Sequence, residues 1–144
     1  MHPRAVRHIA LVTETSAPRA RIERLATHSD ARGFVFEPAD AAELGGQRNV
    51  HVVVSMPGAV RGNHVHARGT EIISVIGPAL IRYVQDGATH DVTVAEREAV
   101  RCIFPPGIPH AIRNTGAAPQ VLVAFNTIVH DPDRPDLTRV ELLP

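Results

Sequence analysis

From residue 49 to the end of the chain, short apolar runs alternate with turn signals at nearly regular intervals. The turns hold pairs such as Pro57-Gly58, Gly77-Pro78 and Asp86-Gly87, whose residue types favour chain reversal. The apolar runs are residues 50–56, 70–76, 79–84, 90–94, 100–104, 110–113, 121–129 and 138–142. Short strands separated by regular turns are typical of an antiparallel sandwich or barrel. The sequence therefore predicts an all-β fold.

The segment before residue 49 is predicted to contribute one strand and short helical segments. Residues 7–12 are predicted as an edge strand. Residues 16–28, which begin with a serine N-cap, are predicted as a short helix. Residues 38–46 are predicted as a helical turn that starts at the cap Asp40 and ends at a glycine pair.

The length of the chain and its charge limit its organisation and its partners. A chain of 144 residues has the size of one domain, so we predict an extension or edge strand over 1–31 and a barrel over 32–144. Fifteen basic residues, all arginines, balance fifteen acidic ones, so we expect neither a nucleic acid nor a membrane as partner. The absence of lysine excludes Schiff-base catalysis.

Cysteine usage and hydropathy predict a cytoplasmic location. The lone Cys102 has no partner for an internal disulfide and lies in an apolar run, where a buried core residue is expected. The longest apolar run near the N-terminus, residues 9–12, is far too short for a signal-peptide core or a membrane span.

Three histidines and one glutamate form the chemically informative set. His64 and His66 are two residues apart on a predicted strand, so their rings point to one face. Glu71 follows after a short turn, and His110 arrives from a separate strand. A nitrogen and oxygen donor set without a thiolate suits zinc, manganese, iron or nickel, or the four groups act in acid/base chemistry. The other six histidines are interpreted as surface or core residues: His2, His8, His28, His51, His90 and His130.

Two motifs resemble those of the cupin superfamily. They are Gly58-x5-His64-x-His66-x4-Glu71-x5-Gly77 and Pro105-x-Gly107-x2-His110-x3-Asn114. The first motif is one residue shorter than the usual form between Glu71 and Gly77, and Ala99 stands where the second motif normally begins with glycine. The resemblance implies a double-stranded β-helix, or jelly-roll barrel, with His64, His66, Glu71 and His110 at the metal positions.

A further resemblance is to the 3,5-epimerases of dTDP-4-keto-6-deoxy sugars. It is carried by the segments Asp30-Ala31-Arg32-Gly33-Phe34-Val35-Phe36-Glu37 and Arg61-Gly62-Asn63-His64. It implies that Arg32, Glu37 and Arg61 contact the nucleotide-sugar substrate and that His64 is the catalytic base. Val35 departs from the family, which usually has an aromatic residue there.

From about residue 32 onward, the chain also resembles the C-terminal cupin domain of bifunctional capsular polysaccharide reductase/epimerases. The shared features include Arg61-Gly62-Asn63-His64-x-His66, Pro105-Pro106-Gly107-x2-His110 and Asp131-Pro132-x2-Pro135-Asp136. This resemblance implies a zinc-binding domain that epimerises a UDP-linked 4-keto sugar at C3 in polysaccharide biosynthesis, without the reductase half. Small cupins commonly pair through their sheets, which implies a homodimer.

His64 has two incompatible roles in these resemblances, because a ring nitrogen that binds a metal cannot also accept a proton. If a metal is bound, the base is another group, with Tyr83 and His90 as candidates. Two other function classes stay open: a metal-dependent oxygenase or lyase of a small molecule, and a non-catalytic sugar-binding module.

Overall fold

The computed structural model describes residues 17–144, and nearly all regular structure in them is β-strand. The strands are β1 (Arg21–Arg24), β2 (His28–Asp30), β3 (Gly33–Val35), β4 (Asn49–Ser55), β5 (Val60–His66), β6 (Glu71–Ile76), β7 (Ala79–Gln85), β8 (Ala88–Val94), β9 (Ala99–Phe104), β10 (His110–Asn114), β11 (Gln120–Asn126) and β12 (Leu137–Arg139). One helix, α1 (Ala41–Leu44), precedes β4. None of the helices in the described part is long and apolar enough to span a membrane.

Two five-stranded antiparallel sheets make up the molecule. The first has the order β1-β9-β6-β11-β4 and the second the order β12-β5-β10-β7-β8, while β2 and β3 form a separate hairpin. Because consecutive strands alternate between the two sheets over much of the chain, the sheets form a jelly roll. The prediction of an all-β, double-stranded β-helix fold is confirmed.

The apolar core lies between the inner faces of the two sheets. Alternate residues of each strand face inward, so Ala79 and Ile81 of β7 are fully buried. Val100, Cys102 and Phe104 of β9 occupy equivalent inward positions in the other sheet. Burial also raises the pKa of the Cys102 thiol far above its ordinary value, with a smaller effect from the charge of Glu71. Cys102 is therefore the inert core residue that its apolar run predicts.

Of the two predictions for residues 7–28, one is wrong and the other lies outside the described residues. The predicted helix over 16–28 is wrong, because its described residues contain β1, which pairs with β9 at the edge of the first sheet. The sequence of β1 suits a strand, since Ile22 packs on the core while Glu23 pairs with Arg101 of β9. The predicted strand over 7–12 lies outside the described residues.

The helical turn before β4 is confirmed as α1. Its N-cap is Asp40, whose carboxylate accepts the backbone N–H of Glu43, while the Glu43 carboxylate accepts the backbone N–H of Asp40. This reciprocal capping box stabilises a helix of a single turn.

The C-terminal tail runs back along the second sheet and ends beside the histidine-bearing strand β5. β12 pairs with β5, in a register that sets Leu137 opposite His66 and Arg139 opposite His64. Asn63 holds the end of the tail, because its side-chain oxygen accepts two backbone N–H groups of the tail and its amide donates to the carbonyl of Leu143. The tail is therefore fixed to the strand that carries two of the four site residues.

Candidate functional site

The four predicted site residues converge at one end of the barrel. In the second sheet, His110 of β10 is the register partner of His64 on β5, and cross-strand partners share a face. In the first sheet, Glu71 begins β6 and pairs with Phe104 and Asn126. Because the inner faces oppose each other, the glutamate of one sheet meets the histidines of the other.

The four side chains contact each other directly through one carboxylate oxygen. Oε2 of Glu71 lies 2.8 Å from Nε2 of His110, 3.2 Å from Nε2 of His66 and 3.3 Å from Nε2 of His64. Nε2 of His64 and Nε2 of His110 are 3.1 Å apart. The prediction that these residues come together is therefore met in the geometry of the described chain.

The ring of His110 is held in one orientation. Its Nδ1 donates to the carbonyl oxygen of Ile108 at 3.0 Å, and the ring stacks on Phe104 with centroids 4.1 Å apart. With the proton of a neutral imidazole on Nδ1, the Nε2 lone pair faces Glu71 and His64. A lone pair directed at a carboxylate oxygen is repulsive unless a proton or a metal ion lies between them.

Asp136 of the tail approaches His66 from outside the cluster. Oδ2 of Asp136 lies 3.7 Å from Nδ1 of His66, a buried nitrogen without a hydrogen-bond partner among the described residues. The same carboxylate accepts the backbone N–H groups of Arg68 and Gly69 and a guanidinium N–H of Arg68. Asp136 thus connects the tail to the turn between His66 and Glu71.

The cluster holds a negative charge close to basic groups. Burial favours the neutral form of Glu71, but the close contacts of its Oε2 with His110, His64 and His66 outweigh burial and hold the pKa of Glu71 far below its ordinary value. Burial alone would lower the pKa of His66, yet the hydrogen bond and charge of Glu71 and the charge of Asp136 raise it. The site therefore contains an ionised carboxylate that attracts cations, whether protons or a metal ion.

The donor atoms fit a divalent metal. One ligand atom from each of the four residues can be chosen so that all lie within 4.8 Å of one another. Four ligands about 2.1 Å from a tetrahedral zinc ion would be about 3.4 Å apart, close to the spacings around Oε2. His110 and His66 also have their Nδ1 atoms turned toward a carbonyl and a carboxylate, as metal-binding histidines commonly do.

A cavity of about 230 Å³ opens onto the cluster. Its floor includes His64, His66 and Glu71, and its walls come from β4, from the end of β11 and from the tail between Ile128 and Leu137. Polar groups share the lining with apolar ones such as Val53, Ile128 and Leu137. A small molecule that enters this cavity would contact the cluster directly.

Two histidines that the sequence interpretation treated as surface or core residues line this cavity. His51 projects from β4 and His130 from the tail, and their rings pack edge to face with centroids 5.8 Å apart. The sequence offered one signal for His51, since it alternates with Asn49 and Val53 on the inner face of a strand. His130 follows the last long strand and carries no comparable signal.

The remaining predicted site residues do not line the cavity. Arg32 lies on the β2–β3 hairpin, where it pairs with Asp30. Glu37 lines a separate pocket, which Arg101 also lines. Arg61 is on β5, with its guanidinium donating to the carbonyl oxygen of Val54 on β4. The substrate-binding roles predicted for these three residues stay predictions.

Tyr83 and His90 are the predicted alternative bases. Tyr83 lies on β7, inside the second sheet, and His90 lies on β8, the edge strand of that sheet. Tyr83 pairs in register with both His110 and His90, and its ring stacks on His90 with centroids 4.8 Å apart. Neither side chain is among those that line the cavity. Their catalytic roles also stay predictions.

Comparison with known proteins identifies the family. The family described as "Polysaccharide biosynthesis C-terminal domain" matches residues 28–138. The spore coat polysaccharide biosynthesis protein SpsL of Bacillus subtilis is 27% identical, over 83% of this chain and 86% of its own length. The relationship therefore extends over most of both chains.

Solved structures with the same fold agree with this relationship. The capsular polysaccharide assembling protein CapF of Staphylococcus aureus superposes with a TM-score of 0.61 at 26% identity, over 82% of this chain. The match covers only 34% of the CapF chain, so this protein corresponds to about a third of it.

Two more distant structures support the fold alone. QdtA, a sugar 3,4-ketoisomerase of Thermoanaerobacterium thermosaccharolyticum solved with TDP, has a TM-score of 0.64 at 14% identity and covers 83% of this chain and 87% of its own. NovW, a 4-keto-6-deoxy sugar epimerase of Streptomyces spheroides, has a TM-score of 0.64 at 14% identity and covers 79% and 66%. The resemblance to the capsular polysaccharide proteins is confirmed, the fold is shared with the cupin sugar epimerases, and the chain belongs to the polysaccharide biosynthesis C-terminal domain family.

Proposed function

We propose that this protein is an epimerase or ketoisomerase of a nucleotide-linked 4-keto-6-deoxy sugar in polysaccharide biosynthesis, with a divalent metal, zinc first, held by His64, His66, Glu71 and His110. The observation that carries the proposal is the convergence of three imidazoles on one ionised carboxylate at the floor of a small cavity. Membership of the polysaccharide biosynthesis family supports the substrate class.

The chemistry of a keto sugar fits this cavity. A hydrogen on the carbon beside a ketone is a weak acid, so its removal needs a nearby base and a positive group at the ketone oxygen. A bound divalent metal supplies Lewis-acid polarisation of such a carbonyl. The imidazoles of His64, His66 and His110 and the carboxylate of Glu71 supply the ligands that position the cation.

The size of the cavity suggests how a nucleotide sugar would bind. At about 230 Å³ it is smaller than the pockets of about 300–1,000 Å³ that enclose drug-sized ligands, so a single sugar ring suits it. The nucleotide diphosphate then lies outside the mouth. Arginine suits this group because its planar guanidinium pairs bidentately with phosphate oxygens. The family resemblance alone makes Arg61, Arg32 and Glu37 the proposed nucleotide contacts, since none of the three lines the cavity.

Isotope exchange tests the proposal. In D2O, the protein is expected to introduce deuterium beside the ketone of a UDP- or dTDP-linked 4-keto-6-deoxy sugar, as detected by NMR and mass spectrometry. Glu71→Gln, which weakens the metal set, is expected to slow the exchange at least 100-fold, whereas Glu141→Gln on the exposed tail leaves it unchanged. If no such sugar exchanges above the rate of the uncatalysed control, the proposed reaction is wrong.

A metal-dependent oxygenase or lyase is the second candidate, because the same donor set can hold iron. Three histidines and one glutamate without a thiolate also suit iron. Metal analysis separates the two proposals, because iron together with oxygen consumption would support the oxygenase and zinc with isotope exchange the epimerase. Saturable sugar binding with neither activity would support a non-catalytic module.

A further inference from the structure

Binding of a metal by His64 leaves the proposed reaction without its expected base. His64 lies in the cluster, with Nε2 directed at Glu71 and His110, so this nitrogen is not available to take a proton from carbon. A second group with an accessible lone pair must then face the sugar. The identification of this base rests on the proposed function.

Among the described residues 17–144, four histidines lie outside the cluster: His28, His51, His90 and His130. Only His51 and His130 are among the residues that line the cavity. His90 stacks on Tyr83 at the far edge of the second sheet, and His28 belongs to the β2–β3 hairpin. Location therefore selects the pair at the cavity mouth.

The two rings of this pair are held differently. Nδ2 of Asn49 lies 2.6 Å from Nε2 of His51 and donates to it, so the lone pair of that nitrogen is occupied. Asn49 and His51 are both on the inner face of β4, where strand geometry fixes their directions. The His51 ring is thus held in one orientation, and the His130 ring packs against it edge to face, at an interplanar angle of 86°.

His130 combines an accessible ring with a place in the lining of the cavity that opens onto the cluster. No hydrogen bond engages its ring within the part of the chain that the structure describes, and its side chain is exposed at the cavity mouth. The next residue, Asp131, also lines the cavity, but its carboxylate is paired with the guanidinium of Arg134 at 3.2 Å. His130 is therefore left with ring nitrogens that a bound sugar can reach.

We propose that His130 is the proton-transferring base of this enzyme and that His51, held by Asn49, positions it. An unprotonated ring nitrogen of His130 forms a bond to the hydrogen beside the ketone. The electron pair of the broken C–H bond forms the enolate double bond, and the ketone oxygen takes up the negative charge. A solvent proton returned to the opposite face of the carbon restores the ketone as the epimer, while His130 releases its proton to water, so the substrate is neither oxidised nor reduced.

Isotope exchange by variants tests this assignment. With UDP-4-keto-6-deoxyglucose in D2O, His130→Ala is expected to lower the exchange rate at least 100-fold, because a positioned general base contributes about 10²–10⁴-fold. Added imidazole should restore part of that rate by entering the vacated space. Thr93→Ala, on the exposed face of β8 in the second sheet, is the control, with the rate unchanged.

The positioning role of His51 has its own readout. His51→Ala is expected to lower kcat about tenfold, because it displaces the base, whereas KM should change by less, because the other lining residues still bind the sugar. All variants should retain the metal content and melting temperature of the unsubstituted protein, because His51 and His130 are outside the metal set. Retention of kcat in His51→Ala would overturn its positioning role.

The outcomes separate this inference from the proposed function. If the unsubstituted protein exchanges deuterium and His130→Ala does so within twofold of its rate, the assignment of His130 is wrong while the proposed function stands. If the unsubstituted protein exchanges no deuterium with any 4-keto sugar tested, the proposed function is wrong and the assignment is overturned with it.

Discussion

Asp136 is the residue through which the tail acts on the candidate metal site. Burial favours the neutral form of its carboxylate, but hydrogen bonds from Gly69 and Arg68 outweigh burial and lower the pKa of Asp136 below its ordinary value. It faces Nδ1 of His66 at 3.7 Å, so it favours the tautomer that directs the Nε2 lone pair into the cluster.

We predict that Asp136→Asn weakens zinc binding by about 10–100-fold, the range found for partners that orient metal-binding histidines. Calorimetric titration of zinc into metal-stripped protein measures the effect. Asp133→Asn, on the same exposed tail segment, is the control and should bind zinc as the unsubstituted protein does. Equal affinities for both variants would show that Asp136 only anchors the tail.

At this scale, the sequence predicted the cluster but not the cavity around it. His64, His66, Glu71 and His110 were predictable because the spacing of His64 and His66 sets one strand face and because the two motifs resemble the cupin motifs that carry the metal positions. His130 was not, because its position depends on how the tail folds back across the barrel, and that path is set by contacts distant from His130 in sequence or local to the turn, such as the hydrogen bonds that Asn126 accepts from Ile128 and Asp136 accepts from Gly69.

At the scale of elements, the junction between β5 and β10 sets the distance between His64 and His110. Gly62 has a φ of +82°, and a Cβ there would lie 2.7 Å from the carbonyl oxygen of His110. The register shifts between His110 and Ala111 at this point. A side chain at Gly62 would therefore push apart the two strands that carry these ligands.

A comparison of Gly62→Ala with Gly87→Ala distinguishes the steric effect of this contact from the effect of backbone strain. Gly87 has a φ of +74° but open space around it, so its variant incurs only the cost of a left-handed alanine, about 1–3 kcal/mol. Gly62→Ala should cost about 1–3 kcal/mol more through steric overlap and should also weaken zinc binding. Denaturant unfolding and zinc titration measure both effects, and equal losses in the two variants would contradict the role of the junction.

Most strands and the helix α1 were predictable because local sequence signals specify them, and the prediction that failed concerns a segment whose structure depends on distant contacts. The strands of the barrel follow short apolar runs, and α1 follows from the Asp40 and Glu43 capping pair. The predicted helix over 16–28 failed because local propensity does not reveal that Ile22 and Glu23 find partners on β9, a strand distant in sequence.

For the whole molecule, the outer face of the first sheet carries an apolar surface formed by β4 and β11. Val50, Val52 and Val54 alternate along β4, with Val52 70% exposed, and the partner of Val54 on β11 is Val121. Because β4 is the edge strand of its sheet, a second copy could cover this face and extend the apolar contact. We therefore propose that this surface forms the homodimer interface that the cupin resemblance implied.

Sedimentation analysis tests the dimer. Val52→Glu should weaken association at least 100-fold, because the charge would be buried between two copies. Thr93→Glu, on the exposed face of β8 in the other sheet, should leave association unchanged. A monomeric unsubstituted protein at tens of micromolar would contradict the proposal.

The metal dependence of deuterium exchange is the most direct test of the proposed metal centre. Protein stripped by a chelator, and shown to be metal-free by mass spectrometry, is compared with the same sample reloaded with one zinc ion per chain. We predict that stripping abolishes exchange beside the ketone of a UDP-linked 4-keto-6-deoxy sugar and that zinc restores it. Exchange at the same rate in the metal-free protein would contradict the metal centre and leave His64 available as a base.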